Sequence, residues 1–235
     1  MRPRLIVPCL ALFCVPVLRA DGLSDLRAAL KALPAHETVR AKVEHDSLER
    51  EENGVTRSHR VTLVEDGPEG VKILEDTGGP AHAGRGGEHG KVPGTDTTEG
   101  FRGELRAQEE LLEMLEKARL LEDRMDSFDG KPARRLRLAL NLDLDKEAQG
   151  YIKRFDQDLV VWLDPQNLPL ALDLKMEVRA RAMLFFSVRT GIRVHERFQR
   201  CKDRLLTAEA RTEVEGVAVG KAFGGTETTR CSLVP

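Results

Sequence analysis

The sequence has few aromatic residues and no strong excess of charge of either sign. Phe, Trp and Tyr make up 4% of its 235 residues, and 37 Lys and Arg are balanced by 39 Asp and Glu. The scarcity of aromatic side chains argues against a stacking platform for bases or sugars. The balanced charge excludes a strongly basic nucleic-acid binder. A hydrophobic fraction of 40% excludes an acidic disordered chain and allows a sizeable core.

Motifs that carry catalytic chemistry are also missing. The six histidines are scattered and form no zinc-binding pair. Gly90-Lys91 and Gly220-Lys221 lack both the upstream glycine and the following hydroxyl residue of a phosphate-binding loop. No Gly-x-Ser-x-Gly turn is present. We therefore predict that the protein is not an enzyme and that it needs no cofactor and no metal.

The first twenty residues have the layout of a secretory signal peptide. Two arginines precede an apolar stretch over residues 5–17, and Ala20 supplies a small residue at the predicted cut. This stretch is too short for a stable transmembrane anchor. We expect residues 1–20 to be removed on export. The remaining residues, 21–235, are predicted to form one β-rich domain in the bacterial periplasm or outside the cell, without nucleic-acid partners.

Only two cysteines, Cys201 and Cys231, remain after the predicted cut. Exported proteins fold in oxidising compartments, so we predict a disulfide between them. The bridge would close a loop of about 30 residues and stabilise the fold by roughly 3–4 kcal/mol. Two separately buried thiols remain the alternative.

Leucine spacing predicts two amphipathic helices. Leu23, Leu26, Leu30 and Leu33 form one stripe over residues 22–33. A second helix is predicted over residues 104–122, with its leucines on one side and charged residues elsewhere.

Between the two helices, alternation of apolar and polar residues predicts strands. Three short strands, over residues 38–44, 55–65 and 69–75, are separated by turn residues and form an antiparallel meander. The following glycine-rich segment, residues 76–100, has no apolar period and is predicted to be a long flexible loop.

The later part of the chain alternates most regularly. Leucines occupy every second position from Leu136 to Leu144, and large apolar residues occupy most even positions from Leu168 to Val188. Charged residues fill many of the odd positions, which indicates strands with one apolar face and one solvent-exposed face. We count nine to eleven strands and two helices. The predicted fold is mainly β, a single curved antiparallel sheet that forms an open half-barrel capped by amphipathic helices.

The order of these elements resembles the periplasmic lipoprotein-carrier fold, the LolA/LolB-like family that includes RseB-type sensor domains. The tract from Trp162 to Pro165 and the Leu168-Pro169-Leu170 segment are similar to a turn and strand entry of that family. The leucines of the first helix, followed by Val39 to Val43, are similar to its first helix and strand. The resemblance implies a concave sheet face that binds lipid or acylated protein. It transfers no individual functional residue.

About ten strands present more apolar surface than two helices can cover. We therefore predict an exported carrier or sensor that binds a lipid, an acyl chain or a lipoprotein segment on the concave face. The predicted lining residues are Leu136, Leu138, Leu140, Trp162, Leu170, Leu172, Leu174, Met176 and Phe186. The alternative is a sheet that curls until its core is closed, in an envelope protein that docks a partner through its charged face or an edge strand.

Overall fold

The computed structural model describes residues 21–52, 54–77, 98–141, 150–182 and 186–234. The predicted signal peptide lies outside the described residues, and so does most of the glycine-rich segment. The described elements are α1 Gly22–Lys31, β1 Val39–Glu51, β2 Gly54–Gly67, β3 Gly70–Thr77, α2 Thr98–Leu105, α3 Ala107–Glu116, β4 Arg119–Phe128, β5 Lys131–Ala139, β6 Ile152–Leu163, β7 Pro169–Ala182, β8 Phe186–Cys201, β9 Arg204–Ala218 and β10 Lys221–Val234.

All ten strands form one antiparallel sheet in the order β3-β2-β1-β10-β9-β8-β7-β6-β5-β4. Strands that follow each other in the chain are paired, except that the first strand pairs with the last instead of β3 pairing with β4. Among the described strands, β3 and β4 are therefore the free edges, and the sheet does not close into a barrel. The predicted fold class, a mainly β protein with one open antiparallel sheet, is confirmed.

Helix α1 begins where the sequence predicts a cap. The Asp21 carboxylate accepts a hydrogen bond of 2.7 Å from the backbone N–H of Ser24, which satisfies one of the free amide groups at the helix start. Leu23, Leu26 and Leu30 are buried on one stripe of the helix. The helix ends at Lys31, shortly before Pro34, which cannot continue it.

The predicted helix over residues 104–122 is wrong in its bounds. The chain forms two helices, α2 and α3, because Arg106 between them adopts a non-helical backbone, with φ −136° and ψ 50°. Its guanidinium is held by Asp66 and by the carbonyl of Gly67. Residues 119–122 belong to β4, because pairing with β5 overrides their helix propensity. The fold thus has three described helices and not two.

Two apolar cores lie between the sheet and the helices. The larger core packs the leucines of α1 and α3 against β5, β6 and β7, together with Phe198 and Leu205. The smaller core packs Phe101 and Leu105 of α2 against β1, β2 and the two cysteines. We call the sheet face that contributes to both cores the helix side. The opposite face carries most of the charged side chains of the long strands.

Candidate functional site

Part of the helix side is fully covered. We call this part the closed half, and its members are Leu136, Leu138, Leu159, Val161, Leu163, Leu172 and Leu174. Each of them is at most 8% exposed and packs in the larger core with leucines of α1 and α3. Of the nine residues predicted to line a ligand site, Leu136, Leu138, Leu172 and Leu174 belong to this half. Leu140 is buried in the same core.

The helix side continues beyond this core along β7, β8 and β9. One cross-strand row contains Met176, Ile192 and Val214, and the next contains Val178, Thr190 and Gly216. We call these six residues the open half. Its side chains are half-buried, and only Met176 packs against an apolar core. Apolar and charged residues alternate here as they do in the closed half. The side chains of the open half, however, are only half-buried.

A cleft of about 720 Å³ lies on the same strands as the open half. Most of its lining belongs to the opposite, charged face, where Glu177, Arg193 and Glu215 surround Gly191, and the neighbouring Met176, Thr190 and Ile192 complete it. This volume lies in the range of small-molecule pockets in proteins, roughly 300–1,000 Å³. The cleft therefore adjoins the rows where the apolar core has ended, mainly on the charged face of the sheet.

An aromatic ring lies at the outer end of the open half. Phe223 of β10 is directly opposite Gly216 of β9. A Cβ atom built on Gly216 would be 2.3 Å from Cζ of Phe223, so the ring lies over the glycine. Only glycine leaves space for the ring in this position. Sequence patterning missed this contact, because a glycine within a strand carries no apolar signal.

Four glutamates lie between the closed half and the smaller core. We call Glu104, Glu110, Glu196 and Glu227 the acidic belt. Burial, with the nearby charges of Glu227, Glu110 and Glu196, raises the pKa of Glu104 to about 8. Burial and Glu110 raise the pKa of Glu196 to about 7. At neutral pH the Glu104 carboxyl group is therefore largely uncharged, and Glu196 is largely uncharged only below about pH 6.

The other members of the belt have different surroundings. Glu227 pairs with His45, with 3.1 Å between the carboxylate and Nε2, and Nδ1 of His45 is 3.1 Å from the Thr229 hydroxyl. Oε2 of Glu104 is buried and has no hydrogen-bond partner among the described residues. Within the belt, Glu104 and Glu196 are the members whose raised pKa values favour the protonated carboxyl group. Among the described residues, no group of three or more His, Cys, Asp and Glu could hold a metal ion.

A buried ion-pair network fixes the junction of α2 and α3. It consists of Asp66, Arg106 and Arg204, and we call it the knot. Asp66 and Arg204 are 0% exposed and form a salt bridge, and Arg106 contacts the same carboxylate at 2.7 and 2.8 Å. Arg204 also donates to the carbonyls of Ala35 and Glu37. The knot joins β2, β9, the loop before β1 and the helix junction. Sequence analysis missed it, because its members are far apart in the chain and carry no local motif.

The remaining predicted lining residues lie in different places. Trp162 is on the opposite face, half-buried, with its ring 5.5 Å from that of Phe128. Leu170 is half-buried at the register shift between β6 and β7. Met176 lies where the closed half meets the open half. Phe186 begins β8, and its side chain lies outside the described part of the structure.

Cys201 and Cys231 are both buried in the smaller core, and both are free thiols in the structure. Burial, with Glu104 and Cys201 nearby, raises the pKa of Cys231 to about 12. A thiol with such a pKa is a poor nucleophile, because only the thiolate reacts. The raised pKa therefore keeps the Cys231 thiol protonated at neutral pH.

The chain is similar to two solved structures. A LolA superfamily protein from Nitrosomonas europaea is 13% identical, with a TM-score of 0.34, and the match covers 90% of this chain and 91% of that chain. MucB, solved in complex with MucA(peri), is 9% identical, with a TM-score of 0.23, and the match covers 90% of this chain and 93% of that chain. No family model matches the chain, and no curated protein matches it.

The LolA superfamily is the family that the order of elements in the sequence resembles. At these identities the likeness concerns the fold alone, so the function is argued from the residues of this chain. Among its described residues, no helix is long and apolar enough to cross a bilayer.

Proposed function

We propose that the protein is an exported, non-catalytic carrier or sensor that binds a lipid, an acyl chain or a lipoprotein segment on the helix side of its sheet. The observation that carries this proposal is the open half. Met176, Ile192 and Val214 form an apolar row that is only half-buried and extends beyond the larger core. Burying such a row against an acyl chain is favourable by about 25 cal/mol for each Å² removed from water.

The two halves would contribute differently to binding. Leu136, Leu138 and Leu172 are 0–1% exposed, so a ligand could touch them only if α1 and α3 moved away from the sheet. Met176 and Ile192 need no such movement, because both are only half-buried, and Ile192 lies outside the larger core. The buried members of the predicted lining, Leu136, Leu138, Leu140, Leu172 and Leu174, would thus form the floor at the inner end of the proposed site. The open half forms its accessible part.

The acidic belt would border the inner end of the ligand. A protonated carboxyl group carries no charge that would oppose an apolar chain, and its O–H can donate a hydrogen bond to an ester or carboxyl oxygen. Glu104 can serve in this way at neutral pH and Glu196 at more acidic pH, because burial raises both pKa values. Ionisation of the belt at higher pH would disfavour binding.

Native mass spectrometry of the protein, purified without detergent, tests the proposal. We expect adducts with the masses of phospholipids or fatty acids, and solvent extraction should recover the same molecules. A protein that carries no adduct and does not bind an added fluorescent fatty acid would contradict the proposal.

The free edge strand β4 favours a second candidate function, docking of an envelope protein. Met125 is 70% exposed and Leu121 is 48% exposed, although both are large apolar residues. Next to Met125 lies a cleft of about 640 Å³ whose lining includes both acidic and basic residues, among them Asp164, Arg124 and Arg134. A partner segment with apolar residues could add a strand at this edge. Pull-down from envelope extracts with wild-type protein and with the Leu121→Lys/Met125→Lys variant tests this candidate, which requires capture by the wild type alone.

Export and a disulfide between Cys201 and Cys231 belong to the same proposal. We expect N-terminal sequencing of the exported protein to begin near Asp21. We also expect thiol titration of the denatured exported protein to find no free cysteine, and reduction to release two thiols. Two free thiols without reductant would leave the cysteines as the buried, unpaired groups of the structure.

A further inference from the structure

The outermost residues of β6 to β10 carry basic but no acidic side chains, although Glu52 of the neighbouring turn pairs with Lys221, and Glu177 and Glu215 lie one row further in. We call residues 150–155, 178–182, 186–190 and 216–223 the tip region, since strand pairing places them side by side. The region contains no Asp or Glu, in a chain that has 39 of them. Its six cationic residues are Lys153, Arg154, Arg179, Arg181, Arg189 and Lys221. Residues 183–185 lie outside the described residues and are not part of the region.

Three of these arginines form one cross-strand row on the face opposite the helices. Arg154 pairs with Arg179, and Arg179 pairs with Arg189, on three adjacent strands. Like charges directly opposite each other in a sheet repel. Asp156 neutralises Arg154. Arg179 and Arg189 are exposed and have no ion pair or side-chain hydrogen bond among the described residues. An external anion beside this row would relieve the repulsion.

Exposed apolar residues accompany the cations. Val219 is 57% exposed, Tyr151 46%, Val217 44% and Phe223 36%. They lie at strand ends, where each can reach beyond the sheet. Aromatic and aliphatic side chains surrounded by lysine and arginine are typical of surfaces that bind the interface of an anionic membrane.

The turn between β9 and β10 holds Val219, one of these exposed apolar residues, in an unfavourable backbone conformation. Val219 has φ of 53° and the following Gly220 has φ of 79°. Two positive φ values in a two-residue hairpin turn favour Asn-Gly, and a β-branched residue is strained there. The valine is more than half exposed, so the core does not require it. A role outside the core explains its presence.

We propose that the tip region docks on the surface of an anionic phospholipid bilayer. The arginine row faces lipid phosphates, and Val219 with its apolar neighbours inserts among the head groups. The whole chain has a formal charge of −2, so the attraction is local and weakens as salt screens it. This inference does not depend on ligand binding in the open half.

Vesicle co-sedimentation tests the arginine row. We expect the protein to bind vesicles of phosphatidylglycerol and phosphatidylcholine but not vesicles of phosphatidylcholine alone. The Arg179→Gln/Arg189→Gln variant should bind the anionic vesicles roughly thirty-fold more weakly, since each basic residue near the surface contributes about five-fold. The matched control is Lys31→Gln/Arg200→Gln, which removes two exposed cations outside the tip region and should bind like the wild type.

A Val219→Asn variant separates membrane binding from folding. Asparagine suits the positive φ, so the melting temperature should rise by about 2 °C. Vesicle binding should fall about five-fold, because the apolar contact is lost. Equal binding to both kinds of vesicle, no binding to either, or equal effects of the two double variants would overturn the inference. A protein that binds anionic vesicles yet carries no acyl ligand would retain this inference and lose only the carrier proposal.

Discussion

The closed half and the open half of the sheet have the same alternation of apolar and charged residues. They differ in what lies above them. Leucines of α1 and α3 cover Leu172, which is 0% exposed, whereas Ile192 is half-buried and lies outside both cores. An apolar strand face thus becomes core or binding surface according to where the helices end. Alternation alone does not distinguish the two.

The largest expected effect on stability distinguishes the buried ion pair of Asp66 and Arg204 from the exposed Arg179. Replacing Asp66 by Ala leaves the fully buried Arg204 without its counter-ion, and we expect a loss of about 3–5 kcal/mol in the free energy of unfolding. Urea denaturation measures it. Arg179→Gln, in the tip region beyond the open half, should change stability by less than about 0.5 kcal/mol. Similar losses in both variants would contradict the assignment of the knot as a buried structural pair.

Truncation of apolar residues tests the comparison itself. Leu172→Ala removes packing from the larger core and should cost about 2–5 kcal/mol. Ile192→Ala removes a half-buried side chain outside that core, and we expect a cost of about 1 kcal/mol or less in protein freed of ligand. Chemical denaturation of both variants gives the two values. Equal costs would show that the open half is packed as tightly as the closed half.

Stability should depend on pH through the acidic belt. Burial raises the folded-state pKa of Glu104 to about 8 and that of Glu196 to about 7, whereas both groups titrate near the ordinary value of 4.5 when unfolded. Below pH 4.5 both states are protonated, and the belt costs nothing. As pH rises towards 8 the unfolded state loses protons first, so stability falls continuously over this range.

The Glu104→Gln variant provides the control for this pH dependence. Its amide resembles the protonated carboxyl group and does not titrate, so its unfolding free energy should fall less steeply with pH than that of the wild type. Denaturation curves at several pH values measure both slopes. Identical slopes would contradict the assignment of Glu104 as a buried group with a raised pKa.

The smallest expected effects on stability concern two glycines. Gly216 belongs to the open half, and Gly191 lies on the opposite face of the sheet. A Cβ on Gly191 would meet its nearest atom at 3.9 Å, so Gly191→Ala should stabilise the fold by about 0.5 kcal/mol. A Cβ on Gly216 would meet the Phe223 ring at 2.3 Å and the Arg189 carbonyl at 2.9 Å. Gly216→Ala should therefore destabilise the protein. Thermal unfolding compares them, and a shift of the same sign in both would contradict the position of the Phe223 ring.

The sequence predicted much of the sheet and little of what covers it. The alternation around Leu172 and Met176 correctly indicated strands with one apolar face, since that signal is local. The end of the second helix was predicted wrongly, because Leu120 and Leu121 fit both a helical stripe and a strand. The knot of Asp66 and Arg204 could not be predicted, because its geometry depends on strands that are distant in sequence.

The candidate site was predicted only in part for the same reason. Among the even-numbered residues predicted to line the site, Leu136 and Leu172 share the helix side, whereas Trp162 lies on the opposite face. The alternation also did not show which residues α1 and α3 would bury. Leu136 and Leu138 lie beneath helices, and Ile192 and Val214 do not. Helix position depends on long-range packing, which one sequence does not reveal.

Titration with a fluorescent fatty acid of two variants on adjacent residues of β8 tests the central claim most directly. Ile192 points to the helix side, and Arg193 points to the opposite face. We expect Ile192→Asp to abolish saturable binding, because it places a charge in the open half, and Arg193→Asp to bind like the wild type. Equal binding by both variants, or loss only in Arg193→Asp, would contradict a ligand site on the helix side of the sheet.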